Sequence, residues 1–352
     1  MPLEDVIKLR KKIDKINQQL LELLNRRASL VLELAEIKRQ HNIEMYDPVR
    51  EAEQVEALLA KNEGPFCDAS ISQLFTQIFR ASFDIQRGER DKILQVSRSF
   101  RSTDTVFKVG DVVIGEKPLL AAGPCAVESE NQIEQIAAAL AERGVKILRG
   151  GAHKPRTSPY SFQGLGDPGY RLLSAAARRH GLLTVSEVMD EKGVAAAAEH
   201  IDILQIGARN MSNFRLLEQV REAGKPVLLK RGIAATYEEL LLAAEYLIVG
   251  TDRIILCERG IRTFEHMTRN TLDISAVPIL RAMSHLPVCV DVSHAAGRRD
   301  IIAPLARAAL AAGAQAVMVE VHPAPSFALS DSQQQLDLQA FDELLAAIKD
   351  LL

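Results

Sequence analysis

The sequence predicts a two-domain protein, a small all-α domain of three helices followed by a (β/α)8 barrel. Three observations predict it. Residues 3 to about 90 carry helical periodicity and nothing else. From about residue 118 onward, short β-branched runs alternate with Ala/Leu-rich helical stretches, the signature of parallel strands joined by crossover helices. The 352 residues exceed one ordinary compact domain but suit a barrel with a small companion.

The first helix is expected over 5–40, a stretch without Gly or Pro. Its apolar residues Leu9, Ile13, Ile16, Leu20, Leu23, Leu24, Val31, Leu34 and Ile37 keep helical spacing. A second starts at Asp47-Pro48, an N-cap acid followed by a proline at the first helical position, and Gly64-Pro65 stops it. A third runs from about Ser70 to Gln86. Three such helices bury too little surface to fold well alone, so dimerisation is expected. The charged, Ser-rich stretch at 87–105 reads as a linker. This divides the chain into a helical domain at 1–90, a linker at 91–105 and a barrel domain at 106–352. The barrel domain opens with a hairpin, VFKVGDVVIG, turning at Gly110-Asp111. Eight strands follow, within 118–123, 145–150, 182–187, 202–207, 226–231, 253–258, 287–292 and 315–321. Eight units in so short a chain suit closure into a TIM barrel. The rival, an open doubly wound sheet, lacks a GxGxxG turn after any strand.

Composition narrows the chemistry. Apolar residues make up 47% and charged residues 25%, a globular balance. A net charge of −3 with mixed signs argues against nucleic acid or an anionic membrane as partner. The four cysteines, Cys67, Cys125, Cys257 and Cys289, show no CxxC pairing, so no disulfide framework or zinc knuckle is signalled. The amphipathic start and the absence of a long apolar run make a cytoplasmic location the expectation.

In a barrel, function gathers where strands end. Here the ends are polar in turn: Cys125; Arg149 with Lys154 and Arg156; Glu187; Arg209; Lys230 and Arg231; Glu258 and Arg259; Asp291 and His294; Glu320 and His322. One charged residue after a strand is ordinarily a solvated loop, but eight ends in succession point to a site. The cations suit phosphate or carboxylate substrates. Cys125, His294, Glu320 and Asp331 are scattered in sequence, so spacing alone is a weak metal signal; a mixed S/N/O set favours a divalent transition ion.

The blocks AAGPCAVES (121–129), LRGGAHKPRTSPYSFQGLG (148–166), QIGARNM (205–211), LLKRG (228–232), ILCERGIRT (255–263), RNTLDISAVP (269–278), VDVSHAAGRRD (290–300), MVEVHP (318–323) and ALSDSQQQ (328–335) resemble the short, microbial type of 3-deoxy-D-arabino-heptulosonate 7-phosphate (DAHP) synthases. The resemblance covers roughly 105–352. It implies condensation of phosphoenolpyruvate with erythrose 4-phosphate, with phosphate leaving. It implies that Cys125, His294, Glu320 and Asp331 bind a divalent metal (Mn, Fe, Co or Zn). Arg149 and Lys154 would hold the phosphoenolpyruvate carboxylate and reacting centre, with Lys154 as the proton-handling cation. Arg209, Lys230 and Arg259 would bind its phosphate, and Pro155, Arg156, Thr157 and Ser158 would receive erythrose 4-phosphate. His153 stands where Phe or Tyr is expected; it would either tune the Lys154 environment or be simply a tolerated ring, and the tolerated ring is favoured. A cousin using arabinose 5-phosphate ranks behind, because Lys154-Pro155-Arg156-Thr157-Ser158 resembles the erythrose-using branch.

The helical domain carries its own anomaly. With Ile13 at zero on a wheel of ~100° per residue, the apolar stripe spans about 240° to about 20°, with Arg27 near ~320° and Lys38 near ~340° inside it. They could snorkel to the surface. Buried without acids beside them, they would need an anion. Arg10 falls just off the stripe, and Ser82 and Gln86 place a polar i,i+4 pair on the third helix. Residues 3–88 resemble the all-helical chorismate mutases, which implies an intertwined dimer and rearrangement of chorismate to prephenate. By that resemblance Arg10 (from the partner subunit) and Arg27 clamp the carboxylates, with Arg50 as a further candidate. Lys38 and Gln86 donate to the ether oxygen. Glu51 holds the ring hydroxyl with Asp47 nearby, and Ser82 contacts or positions a carboxylate.

The whole therefore reads as a bifunctional shikimate-pathway enzyme whose helical domain also serves feedback by chorismate or prephenate. The alternative is a helical domain that is mainly a ligand sensor with little catalysis; a third reading is a dimerisation module alone. The expected assembly is a homo-oligomer, a dimer through the helices and a tetramer through the barrel.

Overall fold

The computed structural model describes residues 2–41, 43, 47–86, 94–154, 158 and 160–352, without the side chains of residues 2–4, 39, 40, 48, 84 and 86. The chain divides into two units, Met1–Lys92 and Ile93–Leu352.

The first unit has three helices, α1 (Pro2–Gln40), α2 (Pro48–Leu59) and α3 (Asp68–Gln86). With no Gly, and no Pro beyond its first residue, α1 runs unbroken for 39 residues. Asp47 caps α2 as expected, its carboxylate accepting the Arg50 N–H at 3.0 Å. The helix stops at Leu59, before the Gly64-Pro65 expected to end it. Asn62 explains the early stop: its side-chain amide donates to Phe66 O at 2.9 Å and to Asp68 Oδ1 at 2.8 Å, stitching a turn that competes with helix. Packing of α3 buries Ala35, Phe79 and Ser82. Leu9, Ile13, Ile16, Leu20 and Leu23 of α1 remain more than half exposed.

The second unit opens with a hairpin, β1 (Phe107–Val109) and β2 (Val112–Ile114), turning where expected. All eight expected strands form: β3 (Leu119–Gly123), β4 (Ile147–Arg149), β5 (Leu183–Val188), β6 (Ile203–Ile206), β7 (Val227–Lys230), β8 (Ile254–Glu258), β9 (Val288–Asp291) and β10 (Ala316–Glu320). They pair in parallel and close through β10 against β3. The helices are α4 (Glu130–Glu142), α5 (Asp167–Arg179), α6 (Glu191–His200), α7 (Phe214–Glu222), α8 (Tyr237–Ile248), α9 (Ala276–Met283), α10 (Val292–Ala296), α11 (Ile302–Ala311) and α12 (Leu338–Ile348).

Strand alternation sends residues to two cores. Outward residues such as Leu120, Leu148, Leu204, Leu229, Leu256, Val290 and Val319 pack under the helices. Inward residues Ala121, Ile147, Val185, Ile203, Leu228, Cys257, Cys289 and Met318 fill the barrel, and Phe107, Val109 and Ile114 of the hairpin join that inner cluster. The stretch 94–105, which composition reads as linker, packs on this unit. Val96 is buried, the Gln95 and Val96 N–H groups donate to the Glu245 carboxylate at 3.0 and 3.2 Å, and Thr105 Oγ1 lies 2.6 Å from His285 Nδ1. Among the described residues no helix is long and apolar enough to cross a membrane.

Candidate functional site

The barrel site follows from strand periodicity. Two residues beyond the inner-core positions, the next inward residues are Arg149, Glu187, Gln205, Lys230, Arg259, Asp291 and Glu320. The barrel interior thus changes from apolar to charged within one repeat. The same parity sorts the charged doublets. Lys230 and Arg259 line the interior cavity, whereas Arg231 and Glu258 point the other way and pair at 2.9 Å, with Asp273 also on Arg231 at 2.8 Å.

The cavity above the inner core has a volume of about 340 Å³. Its cations are Arg149, Lys154, Arg209, Lys230, Arg259, Arg262 and Arg269, against the carboxylates of Glu187 and Asp331. Arg259 is 7% exposed, and among the described residues no carboxylate lies within ion-pairing distance of it. Burial lowers its pKa, yet a guanidinium keeps its charge. Arg149 is fixed by Glu320 at 2.7 Å and Pro124 O at 2.9 Å, while its buried Nε has no hydrogen-bond partner among the described residues. Two glycines make room. A Cβ on Gly207 would meet Glu187 Oε1 at 1.9 Å. Gly123, at φ +146°, lets the chain turn at the end of β3, where a Cβ would meet Arg149 O at 2.1 Å.

Beside the cavity, single ligand atoms of Cys125, His294, Glu320 and Asp331 all lie within 4.8 Å of one another. Cys125 Sγ is 3.5 Å from Asp331 Oδ2, and His294 Nε2 is 3.5 Å from Glu320 Oε1 and 3.8 Å from Asp331 Oδ2. A first-row divalent ion with bonds of about 2.0–2.3 Å spaces its ligands by about 3–4 Å. The donor set fits such an ion on chemistry as well. Asp291 accepts the His294 N–H at 3.0 Å and lies 2.8 Å from its Nδ1, leaving Nε2 turned to the cluster, as metal-binding imidazoles are held. Burial keeps His294 neutral, its pKa lowered to about 4. Burial, and then Glu320, push the Cys125 thiol up to about 12, so only a strongly polarising cation would ionise it. Burial alone would raise Asp331, but Arg269 and His294 hold it well below the ordinary carboxylate range. At φ 47° Asp331 is the one non-glycine residue in the left-handed region among those described.

The structure therefore gathers Arg149, Lys154, Arg209, Lys230 and Arg259 around one cavity, with the four metal candidates at its edge. Ser158 is exposed and outside that lining. Pro155, Arg156 and Thr157 lie outside the described residues. His153 packs its ring 5.4 Å from that of Tyr170, with Nε2 3.4 Å from Asp167. Sequence reasoning missed Arg262, Arg269 and Asn270, which sit on the irregular loop after β8 where no periodicity marks them.

In the helical unit a second cavity, about 390 Å³, is lined by Arg27, Lys38, Asp47, Arg50, Glu51 and Ser82 together with Gln54 and apolar residues of α1 and α3. Arg27 donates to Ser82 Oγ and lies 5.2 Å above the Phe79 ring, while Ser82 Oγ donates to Ile78 O at 2.6 Å. Ser82 thus steers Arg27. The Gln86 side chain lies outside the described residues. Arg10 does not line this cavity; seventeen residues before Arg27 on the same helix, it is about 25 Å away at 1.5 Å rise per residue. Gln54 was missed, being one more polar residue on an amphipathic helix.

Fold and site together define a (β/α)8-barrel enzyme that handles small anions, carrying an all-α domain with a cationic pocket. The chain belongs to the DAHP synthetase I family, whose model matches residues 94–352. Residues 9–87 match chorismate mutase type II, so α1, α2 and α3 form a chorismate mutase region preceding the barrel. The phospho-2-dehydro-3-deoxyheptonate aldolase of Thermotoga maritima is 56% identical over 258 residues, 73% of this chain and 76% of its own length. A 2-dehydro-3-deoxyphosphooctonate aldolase of Acidithiobacillus ferrooxidans is 33% identical over 251 residues, 65% of this chain and 88% of its own. A crystal structure of the Thermotoga maritima DAHP synthase aligns with a TM-score of 0.71 at 55% identity, covering 73% of this chain and 76% of that one. A truncated form of the synthase from the same organism gives 0.68 at 52%, covering 73% and 95%.

Proposed function

We propose that the barrel condenses phosphoenolpyruvate, erythrose 4-phosphate and water to DAHP and phosphate, and that the helical domain converts chorismate to prephenate. The observation that carries the first activity is a juxtaposition: His294 and Asp331 belong both to the four-donor group and to the wall of the cationic cavity. A small phosphorylated anion in the cavity is thereby placed beside a Lewis-acid site.

Lys230, Arg209 and Arg259 bind the phosphoenolpyruvate phosphate, and Arg259 gains there the direct ion pair it lacks among the described residues. Arg149 offers its open Nε to the carboxylate. Cys125, His294, Glu320 and Asp331 would hold a divalent ion, which would supply Lewis-acid polarisation of the aldehyde or of the attacking water. The new bond joins C3 of phosphoenolpyruvate to the aldehyde carbon, water adds at C2, and phosphate departs. Lys154 donates to Cys125 O at 3.1 Å from within the cavity wall, next to the donor group. It is our candidate for handing a proton to the alkoxide formed from the aldehyde. Mn, Fe, Co and Zn all suit this donor set.

In the helical domain Arg27, positioned by Ser82, clamps a chorismate carboxylate, and Lys38 and Gln86 donate to the ether oxygen as charge grows on it. Glu51 holds the ring hydroxyl near Asp47, and Arg50 serves as a further carboxylate contact. The exposed apolar row on α1 and the distance of Arg10 support a homodimer in which the partner subunit completes each pocket. Chorismate or prephenate bound there restrains the barrel by favouring a less active state. We take the helical domain to end near residue 90 and the barrel domain to include the packed segment from 94.

The test measures phosphate released from phosphoenolpyruvate with either of two aldehydes. Turnover with erythrose 4-phosphate and little with arabinose 5-phosphate is expected; a preference for arabinose 5-phosphate would assign the barrel to the cousin's reaction.

A further inference from the structure

The four candidate metal ligands come from four places in the chain, and one residue that is not a ligand joins three of them. Gln335 is fully buried. Its Oε1 accepts the Cys125 N–H at 2.9 Å, and its Nε2 donates to Ser330 O at 2.7 Å, the carbonyl immediately before Asp331. Its own backbone is tied to the end of β10: the next residue, Leu336, donates its N–H to Glu320 O at 2.8 Å and accepts the His322 N–H at 2.9 Å. A single side-chain amide thus spans the Cys125 turn and the Asp331 turn from an anchor on the strand that carries Glu320.

The need for such a clamp is local. Asp331 sits in the left-handed region, a conformation that persists only where its surroundings hold it. Cys125 follows a Gly-Pro turn beyond the end of β3; its carbonyl accepts the Gly151 N–H at 3.3 Å, beside an isolated bridge from Ala126 to Gly151, and its own N–H is held by Gln335. Ser330 Oγ, 3.0 Å from Cys125 Sγ, keeps the two turns in contact. Both ends of the Gln335 amide are used, one as acceptor and one as donor, so its orientation is determined by its partners. Gln334 and Arg269 hold carboxylates within the cluster, but neither reaches Cys125.

We propose that Gln335 is a positioning residue for the metal centre, setting the distance between the Cys125 sulfur and the Asp331 carboxylate and thereby the affinity for the ion. This rests on the metal-site reading above. A carboxamide outside the ligand set acts as the partners of metal ligands do, where loss costs about 10- to 100-fold in metal affinity.

The experiment uses the full-length, metal-stripped protein and Co2+ as the probe, with affinity measured by calorimetry and the sulfur-to-cobalt charge-transfer band by absorption. Gln335→Met fills the same space without either hydrogen bond. It should bind Co2+ about 10- to 100-fold more weakly, with a weakened charge-transfer band. Gln335→Glu keeps the acceptor for Cys125 N–H and loses the donor to Ser330 O; it should lie between wild type and Gln335→Met, and it decides the matter by the same readouts if the methionine variant does not fold. Co2+ affinity and band intensity at the wild-type level in the folded variants would overturn the proposal, since a residue that only fills the core would change stability alone. Failure of the wild-type protein itself to bind Co2+ would overturn the metal-site reading, and this inference with it.

Discussion

Arg259 offers a prediction in which stability and activity move in opposite directions. Its guanidinium is buried and, among the described residues, has no direct ion pair, with Asp291 and Glu258 acting on it only at a distance, so the folded barrel bears a desolvation cost that substrate relieves. Arg259→Met keeps most of the side-chain volume and removes the charge. Relief of a buried charge without a direct ion pair should stabilise the barrel by on the order of 1 kcal/mol, which for a unit of this size raises Tm by about 2 °C. The same change removes charge-assisted hydrogen bonds to the phosphoenolpyruvate phosphate, each worth about 1.5–3 kcal/mol, so kcat/KM for phosphoenolpyruvate should fall about 10- to 150-fold. Differential scanning calorimetry and steady-state phosphate release measure the two effects. Inorganic phosphate should raise Tm more for wild type than for the variant, because it binds the folded site. A lower Tm with unchanged kcat/KM would show that Arg259 serves the fold and not the anion.

Other substitutions separate the remaining roles. Gly207→Ala drives a methyl group into Glu187 Oε1 and should cost about 1–3 kcal/mol of stability, with lower condensation activity, read by thermal unfolding and phosphate release. Arg231→Met strands the Glu258 and Asp273 carboxylates outside the barrel and should destabilise the second unit by about 3 kcal/mol, measured by denaturant unfolding. Arg27→Leu should lower chorismate turnover by at least about 100-fold while the condensation rate is retained, checked by following both reactions on one preparation. Retained chorismate turnover in that variant would move the pocket elsewhere on the helices.

The strands were legible because each is buried on both faces and reads as an unbroken apolar run ending in a charge. Strand parity explains why Lys230 and Arg259 enter the cavity while Arg231 and Glu258 turn away, although the adjacent charges look equivalent in sequence. The in-stripe cations Arg27 and Lys38 could be found because a charge inside an apolar stripe violates helical periodicity, and both line one pocket. Cys125 and Asp331 could not be joined by spacing, since their proximity depends on barrel closure; only resemblance linked them. Arg262 and Arg269 lie on a long irregular loop without a pattern to mark them. The segment 94–105 was obscured by composition: its Ser and Arg residues look like linker, while its burial depends on Val96 and on backbone hydrogen bonds to Glu245 and His285.

The central claim is that one chain carries two sites of independent chemistry, one needing a metal and one needing none. The most direct measurement follows chorismate loss and phosphoenolpyruvate-dependent phosphate release in parallel on the full-length protein, before and after chelation. Condensation should vanish with chelator and return with added Mn2+, while prephenate formation continues throughout. Loss of both reactions together, or condensation that survives chelation, would contradict the account.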